Sequence, residues 1–293
     1  METSLCTIRS GDGTALDGVL YARGGGSGPT ERPPVVNFVH GRSMNFYTGL
    51  PRFAAAGLVG AGYDVAAMNR RSAGVAGIRD SFQGVGDAWT LWAEHRMDVE
   101  AAVRHLRGLG YRRIVIVGHS QGGLLAADHA ARDPSLAGLI LAAPAPMTGL
   151  PIILPDGPRE EALARARAMV AEGRGRELLP LPAFPWFMSA AAAVDPFTPG
   201  LVVPLADLAE RYHGPLLVFC GDAEQDPRMV SAARTAYERS PSQAKRLEIL
   251  EGCGHFYVGY EERVTALLRE WLEVQVPPGA VSASGLRQST TGQ

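Results

Sequence analysis

A polar segment, GHSQG at residues 118–122, interrupts an apolar part of the chain and constrains the fold more than any other feature. The apolar run at 114–118 is typical of a buried strand, and residues 124–133 are typical of a helix. A serine in so sharp a turn has a strained backbone, and the flanking glycines let the strand and the helix approach without Cβ clashes. The pattern therefore predicts a turn that presents the hydroxyl of Ser120.

The predicted position of Ser120 is suited to nucleophilic attack. Backbone N–H groups and the positive end of a helix dipole face an oxygen that becomes negative when a carbonyl is attacked. The N–H of Gln121 is the first expected oxyanion donor. We therefore predict that Ser120 attacks an ester or another acyl carbonyl.

Apolar runs alternate with helical patterns along most of the chain. The predicted strands are 34–40, 63–69, 114–118, 136–146, 214–222 and 245–255, and the main predicted helices are 51–61, 94–108, 227–239 and 260–274. Such alternation predicts the α/β class, with a doubly wound, mostly parallel sheet.

One stretch departs from this alternation. Residues 147–210 are rich in proline and include a helical piece and an aromatic cluster, so we interpret them as an inserted cap subdomain. The core is then split into 1–146 and 211–275. Residues 276–293 lack apolar periodicity, and we expect a disordered tail.

A serine hydroxyl needs a base, and histidine has the pKa for that task. His255 follows the last predicted strand, at the carboxyl edge of the sheet where Ser120 also emerges. The other candidates lie in helices or polar loops or beside the serine, and include His95, His105, His119, His129 and His213. We predict that His255 is the base.

A carboxylate must orient this histidine and stabilise its protonated form. The loop after the strand at 214–222 offers Asp222, Glu224 and Asp226. We predict Asp226, just before the helix, as the acid, with Glu224 as the main alternative. Asp222 adjoins the strand, where an aspartate commonly bonds the local backbone.

The GHSQGG turn and the chain order of serine, carboxylate and histidine resemble the α/β-hydrolase superfamily, and the resemblance covers residues 34–274. In that family the residue after an HG motif supplies the second oxyanion N–H. His40-Gly41 matches the motif, so the resemblance implies that Arg42 N–H is this donor and that His40 holds the loop. Members often place the acid at the spacing of Glu224. Many also carry D-x-R-G-x-G-x-S where residues 69–74 read NRRSAG.

Apolar side chains flank the predicted site and are candidates for an acyl or ring-binding pocket, with ordinary core packing as the alternative. The predicted substrate-binding residues are Phe46, Tyr47, Met147 and Trp186. Arg42, Arg70 and Arg71 are candidates for binding a substrate carboxylate, with solvated arginines as the alternative.

Composition limits the partners. The chain of 293 residues has a net charge of −2 and no run of Lys or Arg, so neither nucleic acid nor a membrane surface is an expected partner. The amino terminus lacks the pattern of a secretion signal, and we expect a cytoplasmic protein. No metal-ligand spacing or phosphate-binding loop is found, so no cofactor is predicted.

Together these features predict a serine hydrolase that cleaves a carboxylic ester or thioester of a small, largely apolar substrate through an acyl-enzyme on Ser120. The same residues could transfer the acyl group to another acceptor, so an acyltransferase or a cyclase is the first alternative. An alternative of another class is a ligand-binding protein that has this fold but no turnover.

Overall fold

An eight-stranded, mostly parallel sheet forms the centre of the protein in the computed structural model, which describes residues 1–23, 32–78, 83–181 and 187–278. The strands are β1 (Glu2–Arg9), β2 (Ala15–Ala22), β3 (Val35–Val39), β4 (Asp64–Met68), β5 (Gly77–Ile78), β6 (Gly84–Val85), β7 (Ile114–His119), β8 (Gly138–Ala142), β9 (Leu178–Leu179), β10 (Met188–Ser189), β11 (Leu216–Gly221) and β12 (Lys245–Leu250). The main sheet has the order β1-β2-β4-β3-β7-β8-β11-β12, and β5-β6 and β9-β10 are separate two-stranded ribbons.

Strand direction and register gather the chemistry at one edge of this sheet. β1 and β2 pair antiparallel with each other, and β2 pairs antiparallel with β4. The remaining pairs of the main sheet, in the spatial order β4-β3-β7-β8-β11-β12, are all parallel. β3, β7 and β8 are buried throughout, as expected for strands covered on both faces. Val39 pairs with Gly118, and His119 pairs with Ala142, so the loops that follow these strands emerge side by side.

Helices cover the sheet in two groups. They are α1 (Leu50–Gly60), α2 (Trp92–Gly108), α3 (Gln121–Ala130), α4 (Leu150–Ile153), α5 (Asp156–Ala171), α6 (Ala190–Val194), α7 (Leu205–Ala209), α8 (Pro227–Arg239) and α9 (Glu261–Gln275), with a 3₁₀ turn at Asp195–Phe197. α1 packs against α9, while α2, α3, α7 and α8 contact one another in succession. This is the doubly wound α/β arrangement that the alternation of strands and helices predicted.

The segment predicted as a cap, residues 147–210, lies between β8 and β11. A second apolar cluster extends from Leu150 to Phe197 and is built largely from α5 and α6. Val202 and the apolar face of α7, by contrast, pack into the main core. The inserted cap is therefore confirmed as an architecture, while the proposed domain bounds stay a prediction.

The predicted tail begins with ordered residues. Val276 is buried in the main core, and the carbonyl of Pro277 accepts a hydrogen bond of 2.7 Å from Arg113. The first residues of the predicted tail therefore contact the main domain, and the expectation of a disordered tail stays a prediction. Residues 279–293 lie outside the described residues.

Candidate active site

Ser120 lies in the sharp turn between β7 and α3. Its φ of 55° and ψ of −122° place a non-glycine residue in a sparsely populated region, at a typical cost of about 1–3 kcal/mol. A Cβ at Gly118 would collide with the backbone of Gly122, and a Cβ at Gly122 would collide with the carbonyl of Val39. Glycine at both positions therefore lets β3, β7 and α3 meet closely enough to present the half-buried serine.

The loop after β3 lies directly against this turn. A Cβ at Gly41 would lie 3.3 Å from the Cβ of Ser120, so the backbone of the loop approaches the serine closely. His40 is buried, its Nε2 accepts a hydrogen bond of 3.0 Å from the N–H of Arg70, and its Nδ1 lies 2.8 Å from the carbonyl of Gly41. Burial is the main cause that lowers the pKa of His40, so this histidine holds the loop in its neutral form.

The two expected oxyanion donors belong to residues that directly follow Gly41 and Ser120, which lie against each other. Gln121 is the first residue of α3, where helix geometry leaves the N–H without an intrahelical partner. Arg42 follows Gly41, and its guanidinium Nε lies 3.3 Å from the carboxylate of Asp87. The backbone N–H groups of Gln121 and Arg42 stay the predicted oxyanion donors.

His255 lies in the loop after β12 and pairs with a buried carboxylate. Its Nδ1 is 2.7 Å from Oε2 of Glu224, whose side chain is 2% exposed, while the histidine side chain is 19% exposed. This bond favours the tautomer with the proton on Nδ1 and leaves Nε2 as a proton acceptor. The pair thus has the chemistry of a general base with its orienting acid.

The structure corrects the expectation that Asp226 would pair with the histidine. Asp226 instead caps the amino terminus of α8, where its carboxylate accepts a hydrogen bond of 3.0 Å from the N–H of Arg228. The Arg228 side chain also binds this carboxylate, at 2.7 Å, and lowers its pKa. The Asp-Pro sequence explains the outcome, since aspartate is a preferred cap and proline a preferred first helical residue.

His119, inside the serine turn, links that turn to the loop of His255. Its Nε2 lies 2.9 Å from the backbone carbonyl of His255, and the two ring centroids are 4.7 Å apart. Burial is the main cause that lowers the pKa of His119 to about 3, so the ring is neutral and donates to this carbonyl. Sequence reasoning missed this role, because the two residues are 136 positions apart along the chain.

The structure brings the loops of Ser120 and His255 together through His119, although no hydrogen bond joins the two side chains within the described part of the protein. Catalytic hydrogen bonds in ligand-free enzymes are often long and tighten when substrate binds. The catalytic assignment of both residues therefore remains a proposal.

The predicted pocket residues have different surroundings. Phe46 packs on the main core and lines a small, mainly apolar cavity with Met44, His40 and His119. Tyr47 is 58% exposed and makes an edge-to-face contact with Phe46. Met147 is half-buried against the main core, and Trp186 lies outside the described residues.

The three candidate arginines already have protein partners. Arg71 makes ion pairs with Asp98, Asp12 and Glu94, at 2.8, 2.6 and 3.2 Å. Arg42 pairs with Asp87, and Arg70 is buried behind the serine turn. Binding of a substrate carboxylate by Arg70 or Arg71 is therefore not supported by their positions.

Two further observations concern ligands and membranes. Among residues 1–23, 32–78, 83–181 and 187–278, no group of three or more His, Cys, Asp or Glu side chains is placed to hold a metal ion. Over the same ranges, no helix has both the length and the apolar character needed to cross a membrane.

A doubly wound sheet that presents a serine between a central strand and the following helix defines a broad class of hydrolases. The model of the alpha/beta hydrolase family matches residues 38–269, and the chain belongs to this family. A comparison of the sequence with curated proteins finds no match.

Solved structures agree with this fold over nearly the whole chain. Est1E from Butyrivibrio proteoclasticus is 19% identical, with a TM-score of 0.65 over 93% of this chain and 98% of that one. The alpha/beta hydrolase GrgF from Penicillium sp. sh18 is 17% identical, with a TM-score of 0.69 over 94% and 99%. A thermostable carboxyl esterase from Bacillus coagulans is 15% identical, with a TM-score of 0.66 over 94% and 99%. At these identities the likeness shows the fold.

Proposed function

We propose that this protein is a serine hydrolase that cleaves a carboxylic ester or thioester through an acyl-enzyme on Ser120. His255 is the general base and Glu224 the acid that orients it. The observation that carries the proposal is the 2.7 Å bond between His255 and the buried Glu224, beside a strained turn that presents a serine.

The charge of Glu224 supports proton transfer at His255. With the carboxylate bound to Nδ1–H, the Nε2 atom accepts the proton of the Ser120 hydroxyl as this oxygen attacks the substrate carbonyl. The imidazolium that forms is stabilised by the adjacent negative charge of Glu224. Because the carboxylate is almost fully buried, its attraction for the imidazolium is weakly screened by water.

The carbonyl oxygen becomes negative when the bond from Ser120 Oγ to the carbonyl carbon forms. The N–H groups of Gln121 and Arg42 are the proposed donors to this oxygen. Collapse of the tetrahedral intermediate breaks the bond to the alcohol or thiol, which leaves with the proton carried by His255. Water then attacks the acyl-enzyme, gives its proton to His255, and releases the free acid and the serine.

Exposed aromatic side chains in the loops that carry His255 and the HG motif suggest the character of the substrate. Phe256, next to His255, is 57% exposed, and Tyr47 follows the HG loop. Such side chains offer apolar area to an acyl chain or a ring. We propose a small, largely apolar substrate on this basis.

A fluorophosphonate probe tests the assignment of the nucleophile. We expect the full chain to be labelled on the peptide that contains Ser120, and the Ser120→Ala variant to remain unlabelled. Failure of the unmodified protein to label, or equal labelling of the variant, would contradict the proposal and favour a binding protein that lacks turnover.

Product analysis separates hydrolysis from acyl transfer. With a short-chain aryl ester and the matching thioester, we expect free acid in a 1:1 ratio to the released alcohol or thiol. An acylated acceptor or a cyclised product without free acid would instead favour the acyltransferase or cyclase alternative.

A further inference from the structure

Arg70 is a buried cation that has no direct counter-ion among the described residues. The residue is 2% exposed, and over the part of the chain that the structure describes no carboxylate oxygen lies within 4.0 Å of its guanidinium. Burial is the main cause that lowers the pKa of Arg70, to about 10, so it stays charged at neutral pH. A buried, unpaired charge is costly, and its presence beside the serine turn calls for a function.

Both Nη atoms of this guanidinium reach neutral acceptors, whereas the buried Nε has no partner among the described residues. Nη2 donates to the carbonyl of His40 at 2.8 Å, to the carbonyl of Gly41 at 3.1 Å and to Oε1 of Gln121 at 3.2 Å. Nη1 lies 2.6 Å from Nδ1 of His95 and 3.3 Å from the same Gln121 oxygen. Three of the four acceptors therefore belong to the two segments that carry the proposed oxyanion donors.

The contacts to the Gly41 carbonyl determine the orientation of the peptide between Gly41 and Arg42. In a trans peptide the C=O of one residue and the N–H of the next point in opposite directions. Arg70 and His40 both bind the carbonyl of Gly41, so this carbonyl faces the interior and the N–H of Arg42 faces the other way. Gly41 itself lies against Ser120, so the peptide that carries this N–H adjoins the nucleophile.

Gln121 is held through both polar atoms of its side-chain amide. Its Oε1 accepts from Arg70, and its Nε2 donates to the hydroxyl of Thr148 at 2.8 Å. This fixes the residue whose backbone N–H is the other proposed donor. Because hydrogen bonds polarise one another in a region of low dielectric, a cation bound to the Gly41 carbonyl also makes the N–H of that peptide a stronger donor.

We propose that Arg70 is a positioning residue that orients and polarises the oxyanion donors Arg42 N–H and Gln121 N–H. The inference rests on the proposed function and adds a residue that does not itself touch the substrate. The neighbouring Arg71 provides a matched contrast, since its charge is neutralised by Asp98, Asp12 and Glu94 away from these donors.

The test compares Arg70→Met, Arg70→Lys and Arg71→Met with the unmodified chain, with the concentration of folded enzyme normalised by active-site titration. We expect Arg70→Met to lower kcat by about 10²-fold, the effect of losing an oxyanion-hole contact, while KM changes by less than about threefold. Arg70→Lys keeps a cation without the planar fork, so it should recover part of the lost kcat. Arg71→Met should leave kcat within about threefold.

A comparison of two substrates distinguishes loss of oxyanion stabilisation from a structural defect. An oxygen ester generates O⁻ at the attacked carbon, whereas its thionoester generates S⁻, a weaker hydrogen-bond acceptor. Loss of oxyanion stabilisation should therefore lower the rate with the oxygen ester more than the rate with the thionoester. A purely structural defect would lower both rates equally.

The outcomes are distinguishable. Suppose that the unmodified chain is active and that Arg70→Met either has an unchanged kcat or lowers the rates with the oxygen ester and the thionoester by the same factor. The role of Arg70 is then overturned, while the proposed hydrolase stands. If Arg70→Met does not fold, the same substrate comparison is made with Arg70→Lys, where an unchanged ratio overturns the role. If the unmodified chain neither labels at Ser120 nor cleaves esters, the proposed function falls, and the role of Arg70 falls with it.

Discussion

Backbone strain is distributed differently in the loops at the carboxyl edge of the sheet and in the cap. Four non-glycine residues of the described chain have a positive φ, and each follows the carboxyl end of a main-sheet strand: Ser43, Ser120, Ala143 and Tyr257. Each such conformation typically costs about 1–3 kcal/mol. In the cap, within 147–181 and 187–210, no non-glycine residue has this conformation. Strain is therefore concentrated where the proposed chemistry occurs.

Polar groups follow the same division. At the carboxyl edge, several buried polar atoms lack a hydrogen-bond partner, among them His119 Nδ1, Glu224 Oε1 and the hydroxyl of Tyr257. The described part of the cap has none, and its charges form exposed pairs such as Arg174 with Glu172 and Glu177. The carboxyl edge therefore carries backbone strain and unpaired polar atoms that the described part of the cap lacks. Substitutions there should affect activity far more than substitutions in the cap, and those that disturb its close backbone packing should also affect stability more.

The largest effect is expected from Ser120→Ala. Removal of the nucleophile should lower kcat by about 10⁵-fold or more, because the residues of a triad act as a unit. The unfolding free energy should change by less than about 0.5 kcal/mol, since the hydroxyl makes no hydrogen bond among the described residues. Ester turnover and urea unfolding of the same preparation measure both. Retained turnover would show that the reaction does not use this serine.

The next effect compares two acids in one loop. Glu224→Gln removes the negative charge that faces His255. It should lower kcat by about 10³–10⁴-fold, as expected when the orienting carboxylate becomes an amide. Asp226→Asn should stay within a few-fold of the unmodified enzyme, because asparagine is also a good helix cap. Steady-state kinetics of both variants distinguishes them. A severe Asp226→Asn combined with a mild Glu224→Gln would reverse the assignment.

Acid should destabilise the protein through buried histidines at the edge. Burial is the main cause that lowers the pKa values of His40, His95 and His119, that of His119 to about 3. Below pH 6.5 the unfolded chain therefore binds protons that the folded chain does not. Each histidine then reduces the unfolding free energy by up to about 1.4 kcal/mol per pH unit, for His119 until the pH reaches about 3.

Urea unfolding between pH 7 and pH 4 measures this slope. His119→Gln should reduce the slope by the contribution of one histidine, because glutamine does not titrate. His213→Gln is the control, since His213 is exposed in the loop before β11. Equal slopes in His119→Gln and the unmodified protein would mean that His119 is protonated in the folded state.

The fold and the serine turn could be predicted because their signals are local. Buried runs such as 35–39 and 114–119, and glycines on both sides of one serine, need no knowledge of distant contacts. Asp226 does not pair with His255 for a local reason, because Asp-Pro at a helix start favours a cap. Glu224, two residues earlier, is the carboxylate that reaches His255.

The roles of Arg70 and His119 could not be read from the chain. Arg70 has a charged neighbour of the same type. Only the folded structure shows that Arg71 meets carboxylates from α2 and the β1–β2 turn, while Arg70 meets carbonyls of the loop after β3. His119 likewise acts through a residue 136 positions away. Such roles depend on strand order and register, which a single sequence specifies only through the whole fold.

The smallest predicted difference is in stability, and it compares a glycine-to-alanine substitution at the carboxyl edge with one in the cap. In Gly122→Ala the new Cβ meets the carbonyls of Val39 and His40, which are backbone atoms that cannot move aside, so we expect a loss of about 1–3 kcal/mol together with lower activity. In the cap, Gly175→Ala places its Cβ 3.5 Å from the Cβ of Ala191, an ordinary contact, and should change stability by less than about 0.5 kcal/mol. Urea midpoints of the two variants give the comparison. Equal losses in both would mean that close packing is not special to the carboxyl edge of the sheet.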